Sequence, residues 1–100
     1  MNKSEHLLSC LSEECNEVAH RVSKALRFGL NEIQPGQPLT NSERIIEEAQ
    51  DMIAVLKMLQ IIGVLPLIDM LSPERLKQKI EKLLKYMDYA KQCGVLTESK

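Results

Sequence analysis

Residues 7–26 read LLSCLSEECNEVAHRVSKAL, and the spacing of the apolar residues in this stretch indicates the fold class. Apolar side chains recur every three or four residues, which is the period of an amphipathic helix. The stripe that they form consists of Leu7, Leu8, Leu11, Cys15, Val18, Val22, Ala25 and Leu26. We therefore predict a first helix that follows Ser4 as its N-cap and ends near Phe28, before Gly29.

The loop that follows contains two prolines around a glycine, in Gln34-Pro35-Gly36-Gln37-Pro38. Thr40 and Glu43 then have the spacing of a capping box, which marks the start of a helix. This second helix is predicted to run to about Ile62, before Gly63. Its expected buried stripe is Ile45, Ile46, Ala49, Met52, Ile53, Leu56 and Leu59, and its last two turns add Val55, Met58, Ile61 and Ile62. Since those turns are apolar on nearly every side, we expect them to be buried all round.

Ser72-Pro73-Glu74 predicts the start of a third helix, because it combines an N-cap Ser, Pro at the first helical position and an acid in the first turn. The helix should reach about Gln92, before Gly94. Its expected buried residues are Leu76, Ile80, Leu83, Leu84, Met87 and Ala90. Residues 64–71 are ambiguous between a loop and a short helical turn.

The composition fits an all-α fold. Of the 100 residues 44% are hydrophobic, but only 3% are aromatic and none is Trp, which is typical of packed helices rather than β-sandwiches. A chain of this length fits a single domain, 1–100, with a core of about 4–92. We predict an antiparallel helical bundle that is completed by oligomerisation, as a homodimer or homotetramer, because so small a domain gains stability by covering more apolar surface.

Charge and cysteine content exclude several classes of partner. A net charge of -1 argues against binding a nucleic-acid polymer. The longest apolar run, from Ile61 to Ile68, contains a glycine and a proline and is too short to cross a membrane. The 3 cysteines lack zinc-site spacing, and their odd number without a secretory signal favours reduced thiols and a cytoplasmic location.

Two acidic motifs are the strongest chemical signal. The first is Glu13-Glu14-Cys15-Asn16-Glu17, an E-E-x-x-E pattern, and the second is Glu47-Glu48-Ala49-Gln50-Asp51, which contains E-x-x-D. Residues three apart on a helix have Cβ atoms about 5–6 Å apart, so both carboxylates of a pair can reach one cation.

The position of these acids on their helices adds a second constraint. Glu14 and Glu17 flank the apolar stripe of the first helix, and Glu48 and Asp51 flank that of the second. If the stripes pack together, four carboxylates meet, and hard oxygen ligands of this kind suit Mg²⁺ or Mn²⁺. Either motif alone is more simply explained as a solvated helix surface, but the presence of both favours a metal site. Glu13 and Glu47 turn further from the core.

Cationic side chains are candidates for binding an anion. Arg21 and Lys24 lie on the same flank as the first acidic motif, and Lys79, Lys82 and Tyr86 share a flank of the third helix. They would clamp phosphates. The alternative is a solvated basic face.

Two further features of the sequence have competing interpretations. Phe28 would either stack on a base or belong to the core. Glu17 and His20 form a half-motif of di-iron bundles, but no second E-x-x-H exists in the chain.

The pair of acidic motifs resembles the signature of the all-α nucleoside triphosphate pyrophosphatases, and residues 11–19 and 46–52 look like the MazG form. The resemblance covers about Ser4 to Gln92. It implies a hydrolase that cleaves the α–β phosphoanhydride of (d)NTPs, with Mg²⁺ held by Glu14, Glu17, Glu48 and Asp51. Glu13 or Glu17 would be the catalytic base.

The chain departs from the family pattern in the loop between the motifs, which is longer than usual. This loop would shape the base pocket, so the resemblance does not imply a preference for one base. The competing hypothesis is a non-catalytic helical protein of the same fold that binds nucleotides or a partner. All four ligands implied by the resemblance are present, and this favours the enzyme.

Overall fold

The computed structural model describes residues 1–97, and these contain three α-helices and no strand. Helix α1 spans Lys3–Phe28, α2 spans Asn41–Ile61 and α3 spans Pro73–Gln92. The predicted all-α class is confirmed. None of the helices in this part of the chain has the length and apolar character that crossing a bilayer requires.

The first helix begins earlier than predicted. Asn2, not Ser4, is its N-cap, and the side-chain oxygen of Asn2 accepts a 2.8 Å hydrogen bond from the backbone N–H of Glu5. Asn and Ser are equally good caps, so local sequence alone does not distinguish them. The predicted end is confirmed, because Gly29 follows Phe28 with a φ of 103° that other residues rarely adopt.

The capping box of α2 is formed as predicted. The backbone N–H of Glu43 donates to the Thr40 hydroxyl at 3.2 Å, and the backbone N–H of Thr40 donates to the Glu43 carboxylate at 3.0 Å. The bond from the Thr40 backbone, followed by that from the Thr40 hydroxyl, lowers the pKa of Glu43. The stability that this carboxylate contributes is thus complete above the ordinary Glu pKa and is lost as the pH falls through the lowered value.

The chain divides into two compact units. The first, Met1–Leu67, contains α1 and α2, which pack on each other. The second begins at Ile68 and contains α3, whose N-cap is Ser72 with Pro73 in the first turn, as predicted. Residues 64–71 contain no helix.

The least exposed face of α1 contains only half of the predicted apolar stripe. Its least exposed positions recur at Leu7, Leu11, Glu14, Val18, Arg21 and Ala25. The predicted stripe is therefore wrong in half of its members, because Leu8, Cys15, Val22 and Leu26 are exposed. The helix is therefore rotated relative to the prediction. Polar residues share its less exposed face, and half of the predicted apolar stripe is exposed.

Apolar burial in the remaining helices is also smaller than predicted. Among the described residues the buried apolar side chains are Leu7, Ala25 and Leu59. Met58 and Ile61, expected to be buried at the end of α2, are 47% and 79% exposed, and Ile46 is exposed too. The predicted stripe of α3 is exposed at Leu76, Ile80, Leu83, Leu84 and Met87. Its own unit contains no second described helix on which these side chains can pack.

Replacement of Thr40 by Ala tests the capping box. We expect Thr40→Ala to lower the free energy of unfolding by about 1 kcal/mol, because the first turn of α2 loses its side-chain acceptor. Chemical denaturation followed by far-UV circular dichroism measures the change. Ser12→Ala, at an exposed position of α1, is the control and should change the free energy by less than about 0.5 kcal/mol. Equal effects of the two substitutions would contradict a capping role for Thr40.

Candidate metal centre

Three carboxylates meet where α1 packs on α2. Glu14 comes from α1, and Glu48 and Asp51 come from successive turns of α2. Each offers one carboxylate oxygen, and these oxygens all lie within 4.8 Å of one another. Glu14 and Glu48 are half-buried and Asp51 is exposed. The E-x-x-D spacing therefore directs both acids of α2 towards a single acid of α1.

The other acids of the two motifs lie outside this group. Glu17, the fourth predicted ligand, is half-buried one turn further along α1 but is not a member of the triad. Glu13 and Glu47 are exposed, as their position on the helices predicted. His20 is exposed and also lies outside the triad.

The triad is electrostatically unfavourable without a cation. Partial burial, and then the negative charges of Asp51, Glu48, Glu13 and Glu17, raise the pKa of Glu14. The charged form of Glu14 is thus destabilised by its surroundings, and a bound cation would reverse that effect. The three donors are all hard oxygens, which fits a divalent cation such as Mg²⁺ or Mn²⁺ and does not fit a soft metal.

Arg21 is a buried cation without a partner. Its side chain is 8% exposed, and the buried Nε and Nη1 atoms have no hydrogen-bond partner. It lies two turns beyond Glu14 on the less exposed face of α1. A buried guanidinium is costly unless an anion satisfies its donors.

The remaining predicted contacts to substrate fall in two places. Lys24 is half-buried and its Nζ lies 5.6 Å from the centroid of the Phe28 ring, which Arg27 also approaches to 5.1 Å. Phe28 is 52% exposed, so its ring is not part of a core. Lys79, Lys82 and Tyr86 are exposed on α3 in the second unit, and their role stays a prediction.

A small cavity near Lys24 contains residues that the sequence did not single out. Its volume is about 290 Å³, and it is lined by Lys24, Phe28, Glu32, Gln34, Pro35 and Asn41. Asn41 is 1% exposed, although it directly follows the N-cap Thr40 and would be expected to be solvated like other polar residues of a first helical turn. No sequence signal marks Asn41 as buried, because its burial depends on the conformation of the irregular loop before it.

The three cysteines are free thiols. Cys15 was predicted to belong to the apolar stripe of α1, and its Sγ lies 3.7 Å from the Sδ of Met52 on α2. The contact is at the surface, because Cys15 is exposed.

Comparison of the chain with protein-family models, with curated proteins and with solved structures gives no match.

Replacement of Glu14 by Gln tests the cation site. Without divalent ions, Glu14→Gln should raise the melting temperature, because it removes one of three mutually repelling charges. Addition of Mg²⁺ or Mn²⁺ should stabilise the unsubstituted protein more than the variant. Thermal unfolding with and without the metal measures both effects. Glu13→Gln, one position away and outside the triad, should retain the metal response. If Glu14→Gln responds to metal as strongly as the unsubstituted chain, Glu14 is not a ligand.

Proposed function

We propose that the chain is a metal-dependent nucleotide pyrophosphohydrolase that cleaves (d)NTPs to (d)NMP and pyrophosphate. The observation that carries the proposal is the triad of Glu14, Glu48 and Asp51, whose oxygens lie within 4.8 Å of one another. The triad draws on both acidic motifs that resemble the MazG-like all-α nucleoside triphosphate pyrophosphatases. Membership of that superfamily is part of the proposal.

The triad would hold Mg²⁺, for which Mn²⁺ can substitute. Bound there, the ion would supply charge neutralisation to the phosphates and lower the pKa of a water molecule. Three carboxylates leave coordination positions for water and phosphate oxygens, as is usual for Mg²⁺.

Glu17 is the better placed of the two candidates for general base. It is half-buried on the same face of α1 as Glu14, whereas Glu13 is exposed. Because Glu17 lies outside the triad, its carboxylate is not needed to complete it and is available to take a proton from the attacking water.

Arg21 would bind the phosphates of the substrate. The guanidinium is buried and its Nε and Nη1 donors are unsatisfied, so a phosphate would supply the acceptors that the protein does not. Lys24, one turn further along α1, would add a second positive charge.

The proposed active form is an antiparallel helical bundle completed by a second copy of the chain. The support is the small apolar core, since only three apolar side chains of the described residues are buried. Free thiols agree with a cytoplasmic location.

A second candidate is a non-catalytic interaction protein. The exposed apolar side of α3 favours it, because contiguous exposed apolar surface marks interaction sites. The same surface would serve the oligomer of an enzyme, so the assay of hydrolysis separates the two candidates.

Hydrolysis of a panel of dNTPs and NTPs with Mg²⁺, scored for pyrophosphate rather than phosphate release, tests the enzyme. We expect Glu48→Gln to lower kcat/KM by at least about 100-fold, because the triad loses a negatively charged ligand. Glu47→Gln is the matched control, since Glu47 is the exposed neighbour outside the triad, and should remain active. No turnover of any substrate by folded protein would reject the enzyme and leave the interaction protein.

Replacement of Arg21 by Met separates stability from phosphate binding. Removal of a buried cation without a partner should raise the free energy of unfolding of the free protein by about 1–3 kcal/mol. The same substitution should raise KM for the triphosphate. Arg75→Met, on the exposed surface of α3, should change neither quantity. A KM that is unaltered in Arg21→Met would exclude Arg21 from the phosphate site.

A further inference from the structure

The cavity of about 290 Å³ lies at one end of the α1–α2 unit. It is enclosed by the last turn of α1, the first residue of α2 and the loop of residues 29–40 between them. The loop is fastened to α2 by backbone bonds from Asn41 to Glu32 and from Ser42 to Leu30, each 3.0 Å long. The walls of the cavity are therefore held in place, and the volume of the cavity is close to the smallest that small-molecule sites have.

The side chain of Asn41 holds the polar groups that line one side of the cavity. Its amide nitrogen donates to the carbonyl oxygen of Gly29 and to Oε1 of Glu32, both at 2.8 Å. Both partners are acceptors, which assigns the NH₂ group of Asn41 to this position. The carboxylate of Glu32 is thereby fixed by one oxygen, while the other has no protein partner among the described residues.

Gln34 supplies a donor beside this acceptor. Its side-chain oxygen accepts a 3.2 Å hydrogen bond from Arg44, so its NH₂ group is left to face other partners. The apolar part of the lining consists of Phe28 and Pro35, which give the cavity an aromatic ring and a flat apolar surface. An apolar platform beside a short row of donors and acceptors is how proteins read single nucleobases.

The surrounding charge suits an anionic ligand. Lys24 lines the cavity, Arg27 lies against Phe28, and the buried Arg21 is one turn before Lys24 on α1. Along α1, Glu14 and Lys24 are ten positions apart, which corresponds to about 15 Å of helix. Asn41 and Glu48 are seven positions apart on α2, or about 10 Å. An extended nucleotide can therefore have its phosphates near Arg21 and its base in the cavity.

We propose that this cavity is the base-binding pocket and that it selects nucleobases that present hydrogen-bond donors to Glu32, guanine above all. The inference rests on the proposed nucleotide substrate. Guanine presents two adjacent donors to a carboxylate and a carbonyl oxygen to the Gln34 amide. Adenine and cytosine present one amino group each. Uracil and thymine present a single ring N–H between two carbonyl oxygens, so a carboxylate that accepts from this N–H also faces a carbonyl oxygen, which is repulsive.

Metal-free titration with GMP, AMP, CMP and UMP, followed by ¹H–¹⁵N NMR of the full chain, tests the pocket. GMP should bind at least about tenfold more tightly than UMP and should shift the amide signals of Phe28, Glu32 and Asn41. Glu32→Gln, which keeps an acceptor for Asn41 but loses the charge, should abolish most of the preference for GMP. Glu81→Gln, on the exposed surface of α3, is the control for loss of one charge and should leave the preference intact.

Gln34→Ala provides a second variant in case Glu32→Gln does not fold. It should weaken GMP and leave UMP nearly unchanged, since it removes the donor to the guanine oxygen. Equal affinities for the four nucleotides, or a preference that survives both substitutions, would overturn the pocket. Hydrolysis of triphosphates without base preference would reject the pocket alone. Selective GMP binding by a protein that hydrolyses nothing would support the pocket and reject the enzyme.

Discussion

The packing of α1 on α2 brings charged groups together where a helical hairpin normally places apolar ones. Glu14 and Arg21 lie in the least exposed stripe of α1, and Glu48 of α2 meets Glu14 there. Like charges and the two unsatisfied nitrogens of Arg21 oppose the contact, and only three apolar side chains of the described residues are buried to favour it. Charged groups in such a position are tolerated when counter-charges are present. The cation proposed at the triad and the anion proposed at Arg21 would each supply such a counter-charge.

Asn41 couples the start of α2 to the loop that precedes it. Thr40 fixes the helix start through the capping box, and the next side chain, Asn41, turns inward to hold Gly29 and Glu32. The N-cap Thr40 and the cavity-lining Asn41 are consecutive residues. The local stability of the helix start therefore also determines the position of the Glu32 carboxylate. The NH₂ group of the buried Asn41 amide holds both acceptors at once, although its own Oδ1 has no hydrogen-bond partner among the described residues. Loss of either bond would leave a further unpaired group.

Local sequence signals predicted the helices well, whereas the pattern of apolar residues predicted the buried side chains less well. Thr40 with Glu43, and Ser72 with Pro73, marked two helix starts because caps are made by neighbouring residues. The E-x-x-D spacing likewise predicted two members of the triad. The orientation of α1 against α2 was not predictable from the sequence. An apolar stripe shows which side of a helix tends to be buried, but it does not show whether α2 or another surface covers that side. Burial of Asn41 depends on the loop conformation, which no periodic pattern encodes.

The two faces of α1 differ in the kind of side chain that they carry. From Glu14 through Arg21 and Lys24 to Phe28, the face towards α2 changes from acidic to basic to aromatic. The exposed apolar residues Leu8, Val22 and Leu26 lie on a different side. A helix that used its apolar stripe for the hairpin would turn this graded face to solvent, where its charges would be screened and its donors hydrated. The rotation of α1 therefore places the charged side chains of Glu14, Arg21 and Lys24 on the less exposed side of the helix. The exposed apolar residues Leu8, Val22 and Leu26 are then available for the proposed association with a second copy of the chain.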